Sequence, residues 1–381
     1  MDCGDFGSNK SRSQILKVEY LLKGMSLLKY DAINLAEKDL QYGRDFLSKM
    51  QATYNLPFVS ANVYDSKTDE LFARPYVIKQ SEALTVGIFG VTVSQGFEST
   101  VSPEAGFKVT DPVVTAAVMV EELREKCDVV IALAHLGLHG SQELARAVPG
   151  IDFIISGHNA SQTHSPQKIG KTVIMQPGYQ GKYLGRIDFT ISAAKVITSV
   201  AGKTVALDKK IADELTLAQL VKDYDEALLS LYPTESPKAQ SHYSALSERS
   251  CLSCHSKQHQ QWRTTLHPLA WQTLVDKKQN HNPECQVCHT TWFGERDGFV
   301  NVRETPDLVN VQCVQCHRPE MADIRDHFKR TRTQQVTTST HNNGAAKTDF
   351  LPVSEQTCLT CHTNENSPHF EYEKYLARIK H

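Results

Sequence analysis

The sequence contains no long apolar segment and almost no net charge, and each absence excludes a class of protein. No apolar run approaches the roughly 20 residues that a membrane-spanning helix requires, so we expect no transmembrane segment. The formal net charge of −2 argues against a nucleic-acid-binding surface. Hydrophobic residues make up 40% of the chain and charged residues 22%, which is typical of a globular protein and not of a disordered one.

Cysteine, in contrast, is plentiful and unevenly placed. Eight of the ten cysteines fall in four copies of the pattern C-x-x-C-H, all in the last third of the chain. Eleven of the 16 histidines lie there too, so the shift in composition predicts a domain boundary between Thr204 and Ser250. The motifs contain Cys251 and Cys254, Cys285 and Cys288, Cys313 and Cys316, and Cys358 and Cys361, followed by His255, His289, His317 and His362.

The repeated pattern is the attachment site of c-type haem, in which two thiols bond one porphyrin and the next histidine ligates its iron. Zinc sites also use C-x-x-C pairs, but they do not require histidine directly after the second cysteine four times in succession. The sequence therefore predicts four haems c, with the eight cysteines as thioether positions and the four histidines as proximal ligands. A domain this rich in haem is expected to consist of short helices and loops over residues 246–381.

Each iron also has a distal coordination position, and its occupant decides function. A second histidine suits electron transfer, whereas an open position suits substrate binding. Two of the remaining histidines of this region, His259 and His369, lie close to their own motifs and are interpreted as solvent-exposed. The other candidates are His267, His281, His327, His341 and His381.

Three stretches of this region resemble tetrahaem cytochromes c of the hydroxylamine-oxidation type. They are CLSCHSKQHQQWRTTLHPLAW, the segment from NPECQVCH to QCVQCHRPEMADIRDH, and TCLTCHTNENSPHFEYEKYLARIKH. The resemblance covers Cys251 to His381 and implies His267, His327 and His381 as distal ligands, the last delivered by a short helix over FEYEKYLARIKH. The fourth iron is then five-coordinate, as one haem of that family is, or it is ligated by His281 or His341.

The first two hundred residues alternate helical and strand patterns, which predicts an α/β layered domain. The stretch DPVVTAAVMVEELREK begins with Asp111 as N-cap and Pro112 at the first helical position. The strand-like runs CDVVIALAHLG and IDFIISGHN lead to His135 and His158. Polar residues at strand C-termini of such sheets tend to face the binding crevice.

Those two histidines, together with Asp5, are candidate ligands of divalent metal. Histidine and carboxylate around two metal ions suit phosphate-ester hydrolysis. The alternative is that both histidines are structural residues, hydrogen-bonded at the ends of their strands.

The motifs DCGDF, YDAINLAEKDL, SANVYD, VVIALAHLG and IDFIISGHNA resemble, in this order, the metallophosphatase domain of bacterial 5′-nucleotidases, which are calcineurin-like phosphoesterases. The resemblance covers Asp2 to Ile191. It implies a β-sandwich flanked by helices over residues 1–208, ahead of the mostly α and irregular multihaem cytochrome c domain. It also implies Asp5 as a bridging metal ligand.

The chain departs from that family at the metal site. The family's Y-D-A-x-x-x-G-N-H-E is YDAINLAEKD here, so Glu37 and Lys38 replace an amide ligand and a histidine, and Ala160 replaces the second histidine of G-H-x-H. The ligands that remain are Asp5, His135 and His158, with Glu37 as a substitute. We therefore expect a scaffold domain without hydrolytic activity, with a divalent metal only as a vestige.

The ends and the middle of the chain give three further expectations. The opening MDCGDFGSNK lacks both a signal-peptide core and the family's first D-x-H strand, so upstream residues are expected to be absent and the N-terminal domain incomplete. Covalent haem attachment requires export, which predicts a periplasmic, extracellular or cell-surface protein. Residues 209–245 are expected to form an amphipathic helix that acts as a spacer, followed by a polar linker.

The favoured function is electron transfer, with redox partner proteins or extracellular electron acceptors and no nucleic acid as partners. One alternative is a metal-dependent phosphoesterase or 5′-nucleotidase with a redox-linked cytochrome module. Another is a haem-based reductase of small nitrogen or sulfur compounds at an open iron. Surplus histidines near the chain ends also allow one copy to ligate a haem of another, which would build a dimer or filament.

Overall fold

The computed structural model describes residues 1–8, 10–81, 84–159, 161–231, 247–295, 298–319, 350–363 and 366–380. The chain divides into two compact units, Met1–Asp225 and Glu226–His381. Within the described ranges, no helix has the length and apolar character needed to cross a membrane. Four residues of the sequence predictions, Ala160, His327, His341 and His381, lie outside the described residues.

All described strands belong to the first unit. They are β1 (Ile33–Asn34), β2 (Phe58–Val59), β3 (Val63–Asp65), β4 (Tyr76–Gln80), β5 (Thr85–Thr92), β6 (Phe107–Val109), β7 (Val129–His135), β8 (Phe153–Ser156), β9 (Gln167–Ile169), β10 (Thr172–Met175), β11 (Tyr183–Ile191) and β12 (Ile197–Ala206). The helices of this unit are α1 (Arg12–Leu27), α2 (Glu37–Leu40), α3 (Arg44–Tyr54), α4 (Phe97–Thr100), α5 (Pro112–Arg124), α6 (Gly137–Ala147) and α7 (Leu215–Leu231), with a 3-10 turn at Pro103–Ala105.

A six-stranded sheet with the order β4-β5-β7-β8-β10-β9 forms the centre of the first unit. Its four inner strands run parallel, and the edge strands β4 and β9 are antiparallel to their neighbours. Strands buried on both faces read as continuous hydrophobic runs, which explains VVIALA and FIIS in the sequence. One face packs on α5 and α6, where Leu123 and Leu144 meet Phe89, Ala132 and Ile154 in one cluster.

The opposite face of the sheet supports the short parallel pair β1–β2. Ala32 and Val59 from this pair pack with Ile88 and Leu133 of the sheet. Residues 2 to 8 run beside β1, with Asp2 in a parallel bridge to Ile33. This packing brings the start of the chain, the residues after β1 and the carboxyl ends of β7 and β8 to one edge.

Helix α7 begins at Leu215, inside the region predicted as helix and linker. Its first half packs on α1, with the rings of Tyr20 and Tyr224 5.6 Å apart. The side chain of Leu220, in α7, lies against Gly24 of α1. Residues 215–225 belong to the first unit, and the role of residues 209–245 as spacer and linker stays a prediction, with residues 232–245 outside the described ranges.

The second unit consists of short helices and irregular segments. The helices are α8 (Glu248–Leu252), α9 (Ser256–Trp262), α10 (Ala270–Asp276), α11 (Pro283–His289), α12 (Cys313–Cys316), α13 (Glu355–Leu359) and α14 (Tyr372–Ile379), with 3-10 turns at His267–Leu269 and Pro306–Leu308. A hydrophobic cluster of this unit has three buried members, Phe299, Leu308 and Val314. The predicted architecture, an α/β layered domain followed by a mostly helical and irregular one, is confirmed.

The start of α5 follows the sequence prediction in detail. Pro112 is the first helical residue, and the Asp111 carboxylate accepts hydrogen bonds from the backbone N–H groups of Val113 at 2.8 Å and Val114 at 2.9 Å. Two of the N–H groups that a helix start leaves without partners are thereby satisfied.

We expect Asp111→Ala to lower the free energy of unfolding by about 1 kcal/mol, because the variant loses the N-cap of a helix that covers the central sheet. Urea unfolding followed by far-ultraviolet circular dichroism measures the loss. Asp111→Asn serves as the control, since its amide oxygen still accepts from the backbone. An equal loss in both variants would show that the charge of Asp111, and not capping, stabilises the helix.

Candidate metal centre and haem attachment sites

Three potential metal ligands meet at the carboxyl edge of the central sheet. His135 is the last residue of β7, His158 follows β8 by two residues, and Glu37 is the first residue of α2. Parallel strands end at the same edge, so β7 and β8 deliver their histidines to one place. The imidazole rings of His135 and His158 lie 5.0 Å apart and nearly perpendicular. The structure brings these three residues together, and the binding of metal by Asp5, Glu37, His135 and His158 stays a prediction.

The Glu37 carboxylate lies between the two imidazoles. Its Oε1 is 2.9 Å from Nδ1 of His158, and its Oε2 is 3.4 Å from Nε2 of His135. One donor atom from each of the three residues lies within 4.8 Å of the others. Oε2 of Glu37 and Nε2 of His135 are both buried, and within the described part of the chain neither makes a well-aligned hydrogen bond beyond their long ionic contact. Buried polar atoms are rarely left this way, so the pair is suited to a shared cation.

A hydrogen bond to the backbone holds the ring of His135 in one orientation. Its side chain is 1% exposed, and Nδ1 lies 3.1 Å from the carbonyl oxygen of Cys3. A carbonyl oxygen only accepts, so Nδ1 carries the proton of this hydrogen bond and Nε2 faces the carboxylates. Metal-ligating histidines use the same arrangement, with one ring nitrogen donating to a fixed acceptor.

Asp5 also reaches the site, but it is shared with Lys38. Its Oδ2 lies 3.4 Å from Nε2 of His135 and 3.2 Å from the ammonium group of Lys38. Its Oδ1 accepts a hydrogen bond of 2.9 Å from the backbone N–H of Lys38. The ammonium group therefore lies at the carboxylate that the family resemblance implies as a bridging ligand.

The electrostatics of the cluster favour positive charge. Burial lowers the pKa of His135, but the carboxylates of Asp5 and Glu37 outweigh it and raise the pKa to about 10. Burial raises the pKa of Glu37, but His135 and His158 outweigh it and hold the pKa well below its ordinary value. The site therefore stabilises a cation beside its carboxylates, either a proton on imidazole or a metal ion.

Two residues of the site have an unusual backbone conformation. Asp5 and His158 have φ angles of 64° and 98°, a region that residues other than glycine seldom adopt. Gly157, next to His158, leaves no room for a side chain, since a Cβ there would lie 2.9 Å from that of Cys3. Strained residues persist where the surroundings fix them, and they cluster at functional sites.

Sequence reasoning missed Asp39, which organises the loop that carries Asp5. Asp39 is fully buried, and its carboxylate accepts backbone hydrogen bonds from Asp5 at 2.7 Å, Gly7 at 3.1 Å and Ala36 at 3.0 Å. Burial and the nearby Asp5 carboxylate raise its pKa. The signal was present, because Asp39 occupies the glutamate position of the family motif G-N-H-E.

In the second unit, two of the histidines predicted as proximal ligands have their rings fixed through Nδ1. His289 lies 2.7 Å from the carbonyl oxygen of Ala270 and 3.0 Å from the hydroxyl of Thr273. His362 lies 2.9 Å from the hydroxyl of Ser367 and stacks on Phe370, with ring centroids 4.6 Å apart. These contacts leave Nε2 as the ligating atom, as expected for an axial haem ligand.

His267, the first predicted distal ligand, lies close to the fourth motif. The ring centroids of His267 and His362 are 6.3 Å apart. Two imidazoles on opposite sides of one metal ion, each with a metal–nitrogen distance of about 2 Å, have centroids about 6 to 6.5 Å apart. Burial and His362 lower the pKa of His267, which favours the neutral, ligating form.

The remaining histidines of this region differ in their surroundings. Nε2 of His281 is buried and has no hydrogen-bond partner within the described segments. His369 is exposed, as expected. The solvent-exposed interpretation of His259 is wrong, because its side chain is 12% exposed, lies 3.8 Å from Glu248 and packs on Trp262. Positions 327, 341 and 381 fall in parts of the chain that are not described.

The four motifs approach one another in pairs. The thiol of Cys251 in the first motif contacts that of Cys313 in the third. The thiol of Cys288 in the second motif contacts that of Cys361 in the fourth. Motifs that are distant in sequence are therefore neighbours in the second unit.

Comparison with solved structures shows the fold of the first unit. A 5′-nucleotidase precursor from Thermus thermophilus matches with a TM-score of 0.55 and 21% identity, covering 61% of this chain and 50% of that one. The first unit has a metallophosphatase-like fold. A sulfate thiohydrolase, SoxB, from the same organism matches this metallophosphatase-like unit with a TM-score of 0.54 and 21% identity, over 62% of this chain and 44% of that one.

Sequence comparisons find similar proteins for the first part of the chain and a matching family for the second part. Protein UshA of Yersinia enterocolitica is 28% identical over 219 residues, covering 49% of this chain and 40% of UshA. A 5′-nucleotidase of Vibrio parahaemolyticus is 28% identical over 276 residues, covering 62% of this chain and 49% of that protein. The chain spans only about two-fifths to half of the length of these relatives. Residues 250–318 match the family described as cytochrome c554 and c-prime.

These findings confirm the predicted fusion. A region similar to 5′-nucleotidases, with a metallophosphatase-like fold, precedes a segment similar to cytochrome c554. The cytochrome match implies haem, and the fold of the first unit implies divalent metal. The buried donor atoms of Glu37 and His135 fit such a metal, and the ring orientations of His289 and His362 fit haem iron.

We expect Asp39→Ala to lower the free energy of unfolding of the metallophosphatase-like unit by about 2–4 kcal/mol, because three backbone N–H groups lose their acceptor. Urea unfolding followed by circular dichroism measures the change. Asp39→Asn keeps one acceptor oxygen and should lose less. Asp213→Ala removes an exposed carboxylate and is the control, with a change within about 0.5 kcal/mol. A loss in Asp39→Ala no larger than that control would contradict the role assigned to Asp39.

Proposed function

We propose that the protein is a multihaem c-type cytochrome that carries electrons through four covalently bound haems. The observation that carries this proposal is the fourfold repeat of C-x-x-C-H, in which His289 and His362 have Nδ1 engaged and Nε2 available. Thioether bonds to the two cysteines hold the porphyrin, and the adjacent histidine supplies the proximal ligand. The haem, when bound, supplies the one-electron chemistry; the chain fixes its position and its axial ligands.

Bis-histidine ligation supports electron transfer over substrate reduction. His267 and His362 are spaced as a pair that shares one iron, which leaves no open coordination position there. His327 and His381 remain predicted distal ligands, followed by His281 and His341. The carbonyl oxygen of Lys380 accepts a hydrogen bond of 2.8 Å from Gln261, which ties the end of α14 to the first haem segment.

Close contact between motifs supports electron passage from haem to haem. The thiol pairs Cys251 with Cys313 and Cys288 with Cys361 join the first motif to the third and the second to the fourth. Cys316 of the third motif also lies near the cysteines of the fourth. Haems attached at these positions would form one connected group. Electrons would enter from and leave to redox partner proteins or extracellular acceptors.

In this proposal the metallophosphatase-like unit is a scaffold without hydrolytic activity. Lys38 replaces a histidine of the family motif and pairs with Asp5, so a cationic side chain lies where a bridging carboxylate would hold metal. The alternative, a metal-dependent phosphoesterase with a redox-linked module, is favoured by the fold and by the names of the relatives. Hydrolysis of a nitrophenyl phosphate ester by the Mn²⁺- or Zn²⁺-loaded protein would support the alternative.

The proposed location is the periplasm or the cell exterior. Covalent attachment of haem to thiols takes place after export, so four attachment motifs require a compartment outside the cytoplasm. The same requirement holds whichever redox partner the protein uses.

We expect the purified protein to carry four covalently bound haems, because each motif supplies two thiols and a histidine. Intact-protein mass spectrometry and the pyridine haemochrome spectrum both count them. The double variant Cys358→Ala, Cys361→Ala should carry three, since one porphyrin loses both bonds. Cys127→Ala, outside the motifs, is the control and should keep four. Retention of four haems by the double variant would show that the fourth motif is not an attachment site.

We expect His267→Ala to convert one haem from low-spin to high-spin, because its iron loses the distal nitrogen. Electron paramagnetic resonance and the absorption spectrum of the oxidised protein report the spin state. His369→Ala, at an exposed histidine, should leave both spectra unchanged. An entirely low-spin His267→Ala protein would refute the pairing of His267 with His362. A high-spin iron in the unaltered protein would favour the alternative of a haem-based reductase.

A further inference from the structure

We propose that Glu37, His135 and His158 bind a single divalent transition-metal ion, and that the ammonium group of Lys38 takes the place of a second one. This inference goes beyond electron transfer by the haems, and it does not depend on the number of haems. It concerns only the metallophosphatase-like unit.

The three donor atoms are already spaced for one ion. Ligands about 2.1 Å from a shared metal lie about 3.0 to 3.4 Å from one another in octahedral or tetrahedral geometry. One donor atom from each of the three residues lies within 4.8 Å of the others, and the two oxygens of Glu37 lie 2.9 Å from Nδ1 of His158 (Oε1) and 3.4 Å from Nε2 of His135 (Oε2). Little rearrangement is therefore needed to bring the imidazoles and the carboxylate around one ion.

Burial and the hydrogen bond at Nδ1 fix the positions of two of the donor atoms. Nε2 of His135 and Oε2 of Glu37 are buried and face each other at 3.4 Å without a well-aligned hydrogen bond, so a metal ion between them would be bound by both. The hydrogen bond from Nδ1 of His135 to the Cys3 carbonyl keeps Nε2 directed at the site.

Lys38 limits the site to one ion. Its ammonium group is 3.2 Å from Oδ2 of Asp5, and its backbone N–H binds Oδ1, so both oxygens of Asp5 are engaged. A second divalent ion at Asp5 would have to displace this ammonium group or lie beside it, and the repulsion between the two positive charges opposes that.

The donor set selects the class of metal. Two imidazole nitrogens and one carboxylate are the ligands of mononuclear zinc and non-haem iron sites, whereas magnesium and calcium prefer oxygen alone. The side chain of His158 is 39% exposed, so one side of the site faces solvent. A water molecule or a small anion from solvent could therefore complete the coordination of the ion.

The test uses the full-length, haem-loaded protein after removal of loosely bound metal with a chelator. It is titrated with Zn²⁺ by calorimetry, and metal per chain is counted by mass spectrometry after desalting, with haem iron as the internal standard. We expect one Zn²⁺ per chain. Two ions per chain would refute the role given to Lys38, and none would refute the site.

Substitutions identify the ligands. Glu37→Gln keeps the shape of the side chain but removes its charge, and we expect it to weaken Zn²⁺ binding at least about a hundredfold. His139→Ala removes an exposed histidine of α6 and should leave binding unchanged. Unaltered affinity in Glu37→Gln, or a loss in His139→Ala, would overturn the assignment. The haem spectrum and circular dichroism of each variant report whether it is folded.

Lys38→Met tests the ammonium group separately, because it keeps the length of the side chain and removes its charge. We expect the variant to bind Zn²⁺ at least about tenfold more tightly or to accept a second ion, since the neighbouring positive charge is gone. Unchanged affinity and stoichiometry would show that Lys38 does not restrict the site. Because Zn²⁺ also stabilises a folded protein that binds it, the rise in melting temperature gives an independent readout for every variant.

Discussion

The carbonyl oxygen of Cys3 is the point on which the arrangement of the first unit's site depends. It accepts a hydrogen bond from Nδ1 of His135 and another from the side-chain amide of Asn34. The first bond joins the start of the chain to the end of β7, and the second joins it to β1. Because Nδ1 is occupied, the opposite ring nitrogen faces the carboxylates, and one backbone oxygen thereby sets the chemistry of an imidazole at the centre of the site.

Charge balance then explains why the departures from the phosphoesterase family occur together. Replacing an amide ligand by Glu37 adds a negative charge, and replacing the next residue by Lys38 adds a positive one at Asp5. The two changes nearly cancel, so the pocket keeps a charge that a buried site can tolerate. They also shift the donors toward His135 and His158, away from the carboxylate that would bridge two ions.

The parts of the fold and of this site that could be predicted are those with a sequence pattern in neighbouring residues. The strand patterns located His135 and His158, and the Asp-Pro pair located the start of α5 at Asp111. Asp39 and the Cys3 carbonyl could not be found in the same way, because their hydrogen bonds join residues far apart in sequence. Backbone acceptors carry no sequence signature at all, and the position of Asp39 in a family motif was its only trace.

In the second unit the four C-x-x-C-H motifs can be located directly in the sequence. The residues that form its hydrophobic core cannot be located in this way. Among its described residues, the hydrophobic cluster has three buried members, Phe299, Leu308 and Val314. If porphyrins supply the rest of the interior, the cofactor is part of the hydrophobic core, and folding and maturation become one process. The newly made polypeptide would remain open until its thiols have reacted, and that openness would keep all eight accessible to the attachment chemistry.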